Sequence, residues 1–512
     1  MVFRTTPRPP TYIAGLDARF VDRRRASVAR TFLLLVPIVS LLLAQGVARA
    51  QSLEARISLT SLSPARVKVE GRRTTATKVW SFLNSYAGAA GLGERIENLK
   101  LADSGGADVD VRKLAPGEYE AASPATRFSY EVKLTPPTMS GDAAHISWLT
   151  NERGLLMPGD LLPVVRELGA EETATKISFS LPPAWSVASD EPRGADRLFN
   201  VSDARLAVFY AGQGLREKSV RVGAMTLSFV TSGEWAFTDE EAAKLAADVL
   251  KDYSELFGAV PRPRATLVLS PFPSSSGADS WSAETRGGTV ALLSGRSPSR
   301  TAALSQLSVP LTHELFHLWV PNGLKLEGDY GWFYEGFTSY QAMRASVRLQ
   351  FLTFQDYLNA AGRAFDAYAS APDRDRLSLL EASRRRWTGQ PALIYQKGML
   401  LAFLYDLQLR MRTGGRRSLD NVYRELYRDH HGSQRPEDGN GAVIAALGRQ
   451  EGMRELTRRL VESAGPLDLA AAVAPFGLRA ERAGPRTRIF VADSLSRPQR
   501  DLLRKLGYNT GA

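Results

Sequence analysis

Hydrophobic and polar residues alternate along much of the first half of the chain. In "RFSYEVKL", residues 127–134, Phe128, Tyr130, Val132 and Leu134 interleave with Arg127, Ser129, Glu131 and Lys133. The segments "KISFSL" (176–181) and "VGAMTLSFV" (222–230) repeat the period of two. Clusters such as "LTPPTMSGD" and "SDEPRGAD" interrupt it. Period two with β-branched and aromatic residues between turn clusters predicts half-buried strands. Residues 51–235 are therefore expected to form an N-terminal antiparallel β-sandwich.

The period changes at "FTDEEAAKLAADVLKDYSELFG" (237–258). Thr238 and Glu241, three positions apart, make a capping box. Leu245, Val249, Tyr253 and Leu256 then recur at helical spacing, and Gly258 ends the run. The runs "ATLVLS" (265–270) and "GTVALLS" (288–294) read as strands. From about residue 300 to about 470 the pattern is helical, and "RPQRDLLRKLG" adds a last short helix. The fold class is α+β. An α/β-then-helical unit is expected over 236–480, with a short C-terminal tail at 481–512.

The chain's 512 residues are too many for one ordinary core, and 44% hydrophobic with 23% charged residues is a globular balance. The net charge of +11 is misleading. Residues 1–50 hold eight arginines and two aspartates, a net of +6, which leaves +5 for the remainder. That is no footprint for nucleic acid. "SRRRW" (383–387) reads as a solvated helix end or loop. The arginines at 23, 24, 25 and 30 precede the apolar run "TFLLLVPIVSLLLA" and then "ARA" at 48–50. Charged, apolar and small-x-small segments in that order predict a signal peptide over residues 1–50, cut after Ala50. The expectation is an exported, periplasmic or secreted protein with no membrane attachment after cleavage. The alternative is an N-terminal membrane anchor, against which stand the shortness of the apolar run and Pro37 within it.

Cysteine is absent, so thiolate ligands and thiol nucleophiles are excluded, and a metal would be held by histidine and carboxylate. The stretch "LTHELFHLWVPNGLKLEGDYGWFYEGFTSY" (311–340) supplies both. His313 and His317 stand four apart, on one helix face, within reach of one ion. Glu314 lies about 100° around the helix, placed to touch a water on that ion. Pro310 is expected to open this helix and "PNG" (321–323) to end it. A catalytic zinc takes three protein ligands. Glu335, opening a second helix, is the third, with Gly336 beside it to let that helix approach the first. Of the other histidines, His430 and His431 are read as exposed in a polar loop, and His145 as a strand residue.

"HELFHLW" and "WFYEGFTSY", followed by "IYQKGMLLAFLYDLQLRMRTGGRRSLDNVYREL" (394–426), resemble the gluzincin metallopeptidases, most of all the glycyl aminopeptidase family. The likeness is strong over 311–426 and loose over roughly 120–480. It implies a thermolysin-like catalytic domain, Zn2+ as cofactor and a peptide or protein substrate. It also implies that Tyr395, at the place of the family's tyrosine, hydrogen-bonds the tetrahedral intermediate. The residues after Glu481 are too few for the PDZ domain that relatives often carry. Such aminopeptidases have a Gly-Gly-x-Glu-His or Gly-x-x-Glu-Asn strand whose glutamate holds the substrate's amine. Here "GGTVA" (287–291) puts Val290 in the glutamate's place. Gly287 and Gly288 are then candidate substrate contacts. Glu284, on the other side of those glycines, is the candidate amine anchor. The reading is an aminopeptidase-like zinc peptidase with Glu314 as base. The alternatives are an endopeptidase without an amine anchor and a non-catalytic, zinc-stabilised peptide-binding protein.

Overall fold

Three sheets are stacked ahead of a helical mass, and the alternation of side chains along the middle sheet explains the stacking. The computed structural model describes residues 52–164, 174–386, 391–433, 435–450 and 452–509. The expected signal segment lies outside them. The outermost sheet has eight strands. Its centre is the antiparallel series Ser52–Leu62, Ala65–Ser81 and Glu118–Lys133. Ser52–Leu62 also pairs in parallel with Ala174–Ser180, so the N-terminal region is β-rich but not purely antiparallel.

The middle sheet has four strands, including Arg153–Leu156 and Phe209–Gln213. Leu156, Phe209 and Ala211 share a core with Val67, Val69 and Tyr130 of the first sheet. Their neighbours in sequence, Leu155 and Tyr210, point the other way, into a core with Val230, Val268 and Leu293 of the third sheet. This is the period of two made visible as layers.

The third sheet runs Arg216–Val222, Met225–Thr231, Arg264–Pro271, Thr289–Ser294, Trp281–Arg286 in spatial order. The inner pairs are parallel and both outer pairs antiparallel. "VGAMTLSFV" is thus not one strand: Gly223, at φ +58°, turns a hairpin within it. Both arms of that hairpin belong to the third sheet, so the boundary expected near 235 falls after strands that pair with residues beyond it. The described residues lie in a single compact unit.

Leu227, Leu267, Val290 and Leu292 face the helices across the third sheet's other side. The first helix, Asp239–Phe257, has the expected capping box at Thr238 and Glu241 and a left-handed Gly258 at its end. The C-terminal segment is not a loose tail. A hairpin, Leu478–Ala483 with Arg486–Val491, docks on the helix Phe354–Ala369. There Asp366 accepts hydrogen bonds from the backbone and hydroxyl of Thr487. No helix among the described residues is long and apolar enough to cross a membrane.

Candidate active site

The helix Arg300–Glu314 starts where the Ser299 side chain accepts from the Ala302 amide, and Pro310 lies inside it. The expected start at Pro310 is corrected. Ala303, Leu307 and Leu311 bury one face from the first turn onward, and that packing carries the helix through the proline. The chain then tightens into a 3-10 turn, Phe316–Leu318. His313 therefore sits in the helix's last turn and His317 on the tighter turn after it.

Three ligand atoms converge. His317 Nε2 is 3.1 Å from His313 Nε2. Glu335 Oε2 is 3.3 Å from His313 Nε2 and 3.5 Å from His317 Nε2. Four-coordinate zinc, with bonds of about 2.0–2.1 Å, has ligand–ligand edges of about 3.3–3.4 Å, so this triangle fits such an ion. His317 Nδ1 lies 2.8 Å from the carbonyl oxygen of Val320. A carbonyl only accepts, so Nδ1 carries the proton and Nε2 keeps its lone pair for a metal. Burial opposes the imidazolium of His317, but Glu335, and behind it Glu314, pull its pKa up to about 9.

Glu335 and Tyr395 arrive on two π-helical turns, Trp332–Phe337 and Ala392–Lys397. Such turns re-aim side chains and recur at functional sites. They cross at two glycines. A Cβ on Gly336 would lie 2.5 Å from the Cα of Gly398. The close approach expected of Gly336 is therefore made against the Tyr395 segment rather than the His313 helix.

Arg386 joins these parts. Its Nη2 donates to Glu335 Oε1 at 2.5 Å and lies 3.4 Å from the Tyr395 hydroxyl, while Nη1 donates to Tyr334. The solvated reading of "SRRRW" is corrected at this residue, whose side chain is 16% exposed. Burial would raise the Glu335 pKa, but Arg386 and the histidines hold it well below the carboxylate range. Arg386 thus takes one oxygen of Glu335 and leaves the other facing the two histidines. Burial pushes the Tyr395 phenol well above its usual range, so it remains a donor.

The strand Trp281–Arg286 forms the sheet edge beside this cluster. "WSAETR" has no clean alternation, and the sequence did not announce it as a strand. Thr285 places its hydroxyl 2.8 Å from Glu314 Oε2 and 2.9 Å from the Glu314 carbonyl. Glu284 stands on the same strand and lines the cavity, as do His313, Glu314, His317, Glu335 and Tyr395. The cavity has a volume of about 870 Å³. Gly287 and Gly288 are not brought to it. They make the turn that joins the edge strand to Thr289–Ser294, and Gly287 has a φ of +54°. Val290 is buried in the helix-side core. Glu284, before the glycines, instead faces the cavity, because the edge strand precedes the turn.

His145 is not a strand residue. It caps a 3-10 turn, Ser140–Ala144, and its Nδ1 meets Glu284 Oε2. His430 is buried at a helix end, at 8% exposure, contrary to its expected place in an exposed loop. His431 is exposed and stacks on Tyr427 with ring centroids 4.4 Å apart.

Residues 307–401 match the family model described as M61 glycyl aminopeptidase. That segment holds every ligand atom of the cluster, together with Glu314, Arg386 and Tyr395. Among solved structures, an aminopeptidase N family protein from Idiomarina loihiensis aligns with a TM-score of 0.72 at 18% identity, over 84% of this chain and 79% of that one. An M1 zinc metallopeptidase variant from Deinococcus radiodurans, bound to a Tyr-Ser-Ala substrate, aligns with a TM-score of 0.54 at 14% identity, over 82% and 96%. The same organism's M1 zinc metallopeptidase gives 0.51 at 16% identity, over 81% and 94%. No curated protein sequence matches the chain. The site-bearing segment is a gluzincin-type peptidase domain, set in a fold shared with aminopeptidase N-like proteins. The chain is a hydrolase of the metallopeptidase class.

Proposed function

We propose that this protein is an exported, zinc-dependent peptidase with a thermolysin-like catalytic region, and that its reaction is hydrolysis of a peptide bond. The observation that carries the proposal is the convergence of His313, His317 and Glu335 within hydrogen-bonding distance of one another, with Glu314 beside them in one cavity. Zinc, when bound there, supplies a Lewis acid that lowers the pKa of water and polarises a carbonyl.

The chain's own groups do the rest. Glu314, oriented by Thr285, takes the proton of the attacking water and hands it to the leaving nitrogen. A C–O bond forms, the C–N bond breaks, and no other reactant is needed. Tyr395 receives a hydrogen bond from Arg386 and keeps its own O–H, which faces Glu335, as a donor that can turn to the carbonyl oxygen as it gains charge. Arg386 keeps Glu335 ionised and directed at the histidines. Metal binding alone requires neither Glu314 nor Tyr395, which favours turnover over a binding-only role.

Elemental analysis of the purified protein tests the reading. One zinc per chain is expected, lost in His313→Ala or Glu335→Ala. Wild type without zinc after reconstitution contradicts it. N-terminal sequencing from an exporting host tests cleavage before Gln51. A retained leader that holds the protein in detergent contradicts that part.

A further inference from the structure

Resting on the peptidase reading, we propose that the cavity selects peptides whose reacting end carries no free α-ammonium. Its preferred bonds are then interior ones, or those next to an acylated amino terminus. The argument is a count of charges and of what already matches them. Among the described residues that line the cavity, the carboxylates are Glu284, Glu314 and Glu335, and the guanidiniums are Arg286, Arg363 and Arg386. Glu335 belongs to the metal set and to Arg386. Glu314 is held by Thr285 next to that set. Glu284 is the one carboxylate left to receive a substrate ammonium.

It is already taken. Arg286 donates to Glu284 Oε1 at 2.8 Å, the Tyr86 hydroxyl donates to the same oxygen, and His145 meets Oε2. Arg286 is itself fixed: it donates to the His145 carbonyl at 2.6 Å and lies 4.0 Å over the Tyr86 ring. The Glu284 and Arg286 side chains are 12% and 4% exposed. The two partners from the N-terminal β region, Tyr86 and His145, make this arrangement a wall built from distant parts of the chain rather than a chance surface pair.

An ammonium placed here would lose its hydration and meet a carboxylate whose charge Arg286 has neutralised, with His145 adding to the positive side when protonated. An amide or acyl group in the same place brings no charge and meets no such cost. The protein's own guanidinium stands where a substrate amine would otherwise bind, and discrimination then runs against the free terminus.

The test uses zinc-loaded protein and three substrates sharing one scissile bond: a free-amine peptide, its N-acetyl form, and a longer peptide with that bond in its interior. Binding of the same three to Glu314→Gln is followed by calorimetry. The expected result is that the acetylated and interior bonds are cleaved and bound at least as well as the free-amine one. Arg286→Met, which unmatches Glu284, should move the free-to-acetyl ratio about tenfold or more toward the free amine. Should Arg286→Met not fold, Glu284→Gln serves: the free-to-acetyl ratio should not fall. A tenfold wild-type preference for the free amine, lost in Glu284→Gln, overturns this inference and leaves the peptidase reading standing. Cleavage of none of the three overturns both. Preference for the interior bond over the acetylated end separates the two substrate sources.

Discussion

Gly336 and Gly398 touch backbone to backbone, and that contact sets Glu335 and Tyr395 on one wall. A methyl group on Gly336 would lie 2.5 Å from the Gly398 Cα and 2.5 Å from the Ile394 carbonyl oxygen. No flexible side chain is available to give way. Gly336→Ala is expected to cost about 1–3 kcal/mol or more, as overpacking of a dense core does. It should also weaken zinc binding, because Glu335 is the adjacent residue. Thermal unfolding and a chelator competition check both; unchanged values would mean that the two segments separate freely.

Arg386 holds the oxygen of Glu335 that faces away from the two histidines. Loss of a ligand's outer partner commonly costs 10–100-fold in metal affinity, and Arg386→Met is expected to fall in roughly that range. The cobalt-substituted protein should show a changed visible spectrum, since the geometry at Glu335 relaxes. Wild-type affinity and spectrum together would make Arg386 a bystander.

Tyr395→Phe removes one donor and keeps the ring. Loss of an oxyanion donor costs about 10²–10³ in turnover, and the fall should be in kcat with KM little changed. Zinc content and unfolding temperature should hold. A kcat within a few-fold of wild type would return Tyr395 to a packing role.

Acid should unfold the protein through groups whose pKa is depressed by folding. Burial would raise the Glu284 pKa, but Arg286 and His145 bring it from 4.5 to about 2. Burial would likewise raise Asp406, which Arg410 and Tyr340 instead hold below its model-peptide value of 3.8. A depressed carboxylate stabilises fully above its unfolded pKa, and this is lost as pH falls through the folded one. Through these groups the unfolding temperature should be flat above about pH 5 and drop steeply toward about pH 2, while without zinc the raised pKa of His317 adds a separate loss as pH rises from about 6.5 to about 9. Asp406→Asn, which leaves buried Arg410 with only Asp420, 4.0 Å away, should cost about 3–5 kcal/mol at neutral pH and flatten the acid limb. An acid limb unchanged in that variant would place the titrating groups elsewhere.

The parts of the molecule legible in the sequence are those where local pattern and local chemistry coincide. The helix at 239–257 announced itself by Thr238, Glu241 and Gly258, and all three do what those residue types do. His313, Glu314 and His317 were legible for the same reason, since four-residue spacing puts them together on any helical turn. What failed was long-range. Arg386 reads as one arginine of three until the fold carries it to Glu335, 51 residues back. Thr285 and His145 acquire meaning only when the edge strand passes beside Glu314 and the Ser140–Ala144 turn. Val290 turns into the helix-side core while Glu284, ahead of the turn, lines the cavity, a placement set by sheet pairing that sequence order does not show.

The central claim is that the ion held by His313, His317 and Glu335 and the carboxylate of Glu314 act on one peptide bond. The most direct measurement is the turnover of zinc-loaded Glu314→Gln beside wild type on a cleaved peptide. Glutamine keeps the size of the side chain and its hydrogen bonding to Thr285 but cannot accept the water's proton. The account predicts unchanged zinc content, an unchanged unfolding temperature and a turnover lower by about 10²–10⁴ or more, the usual worth of a general base. Hydrolysis within a few-fold of wild type, with zinc bound, would contradict it.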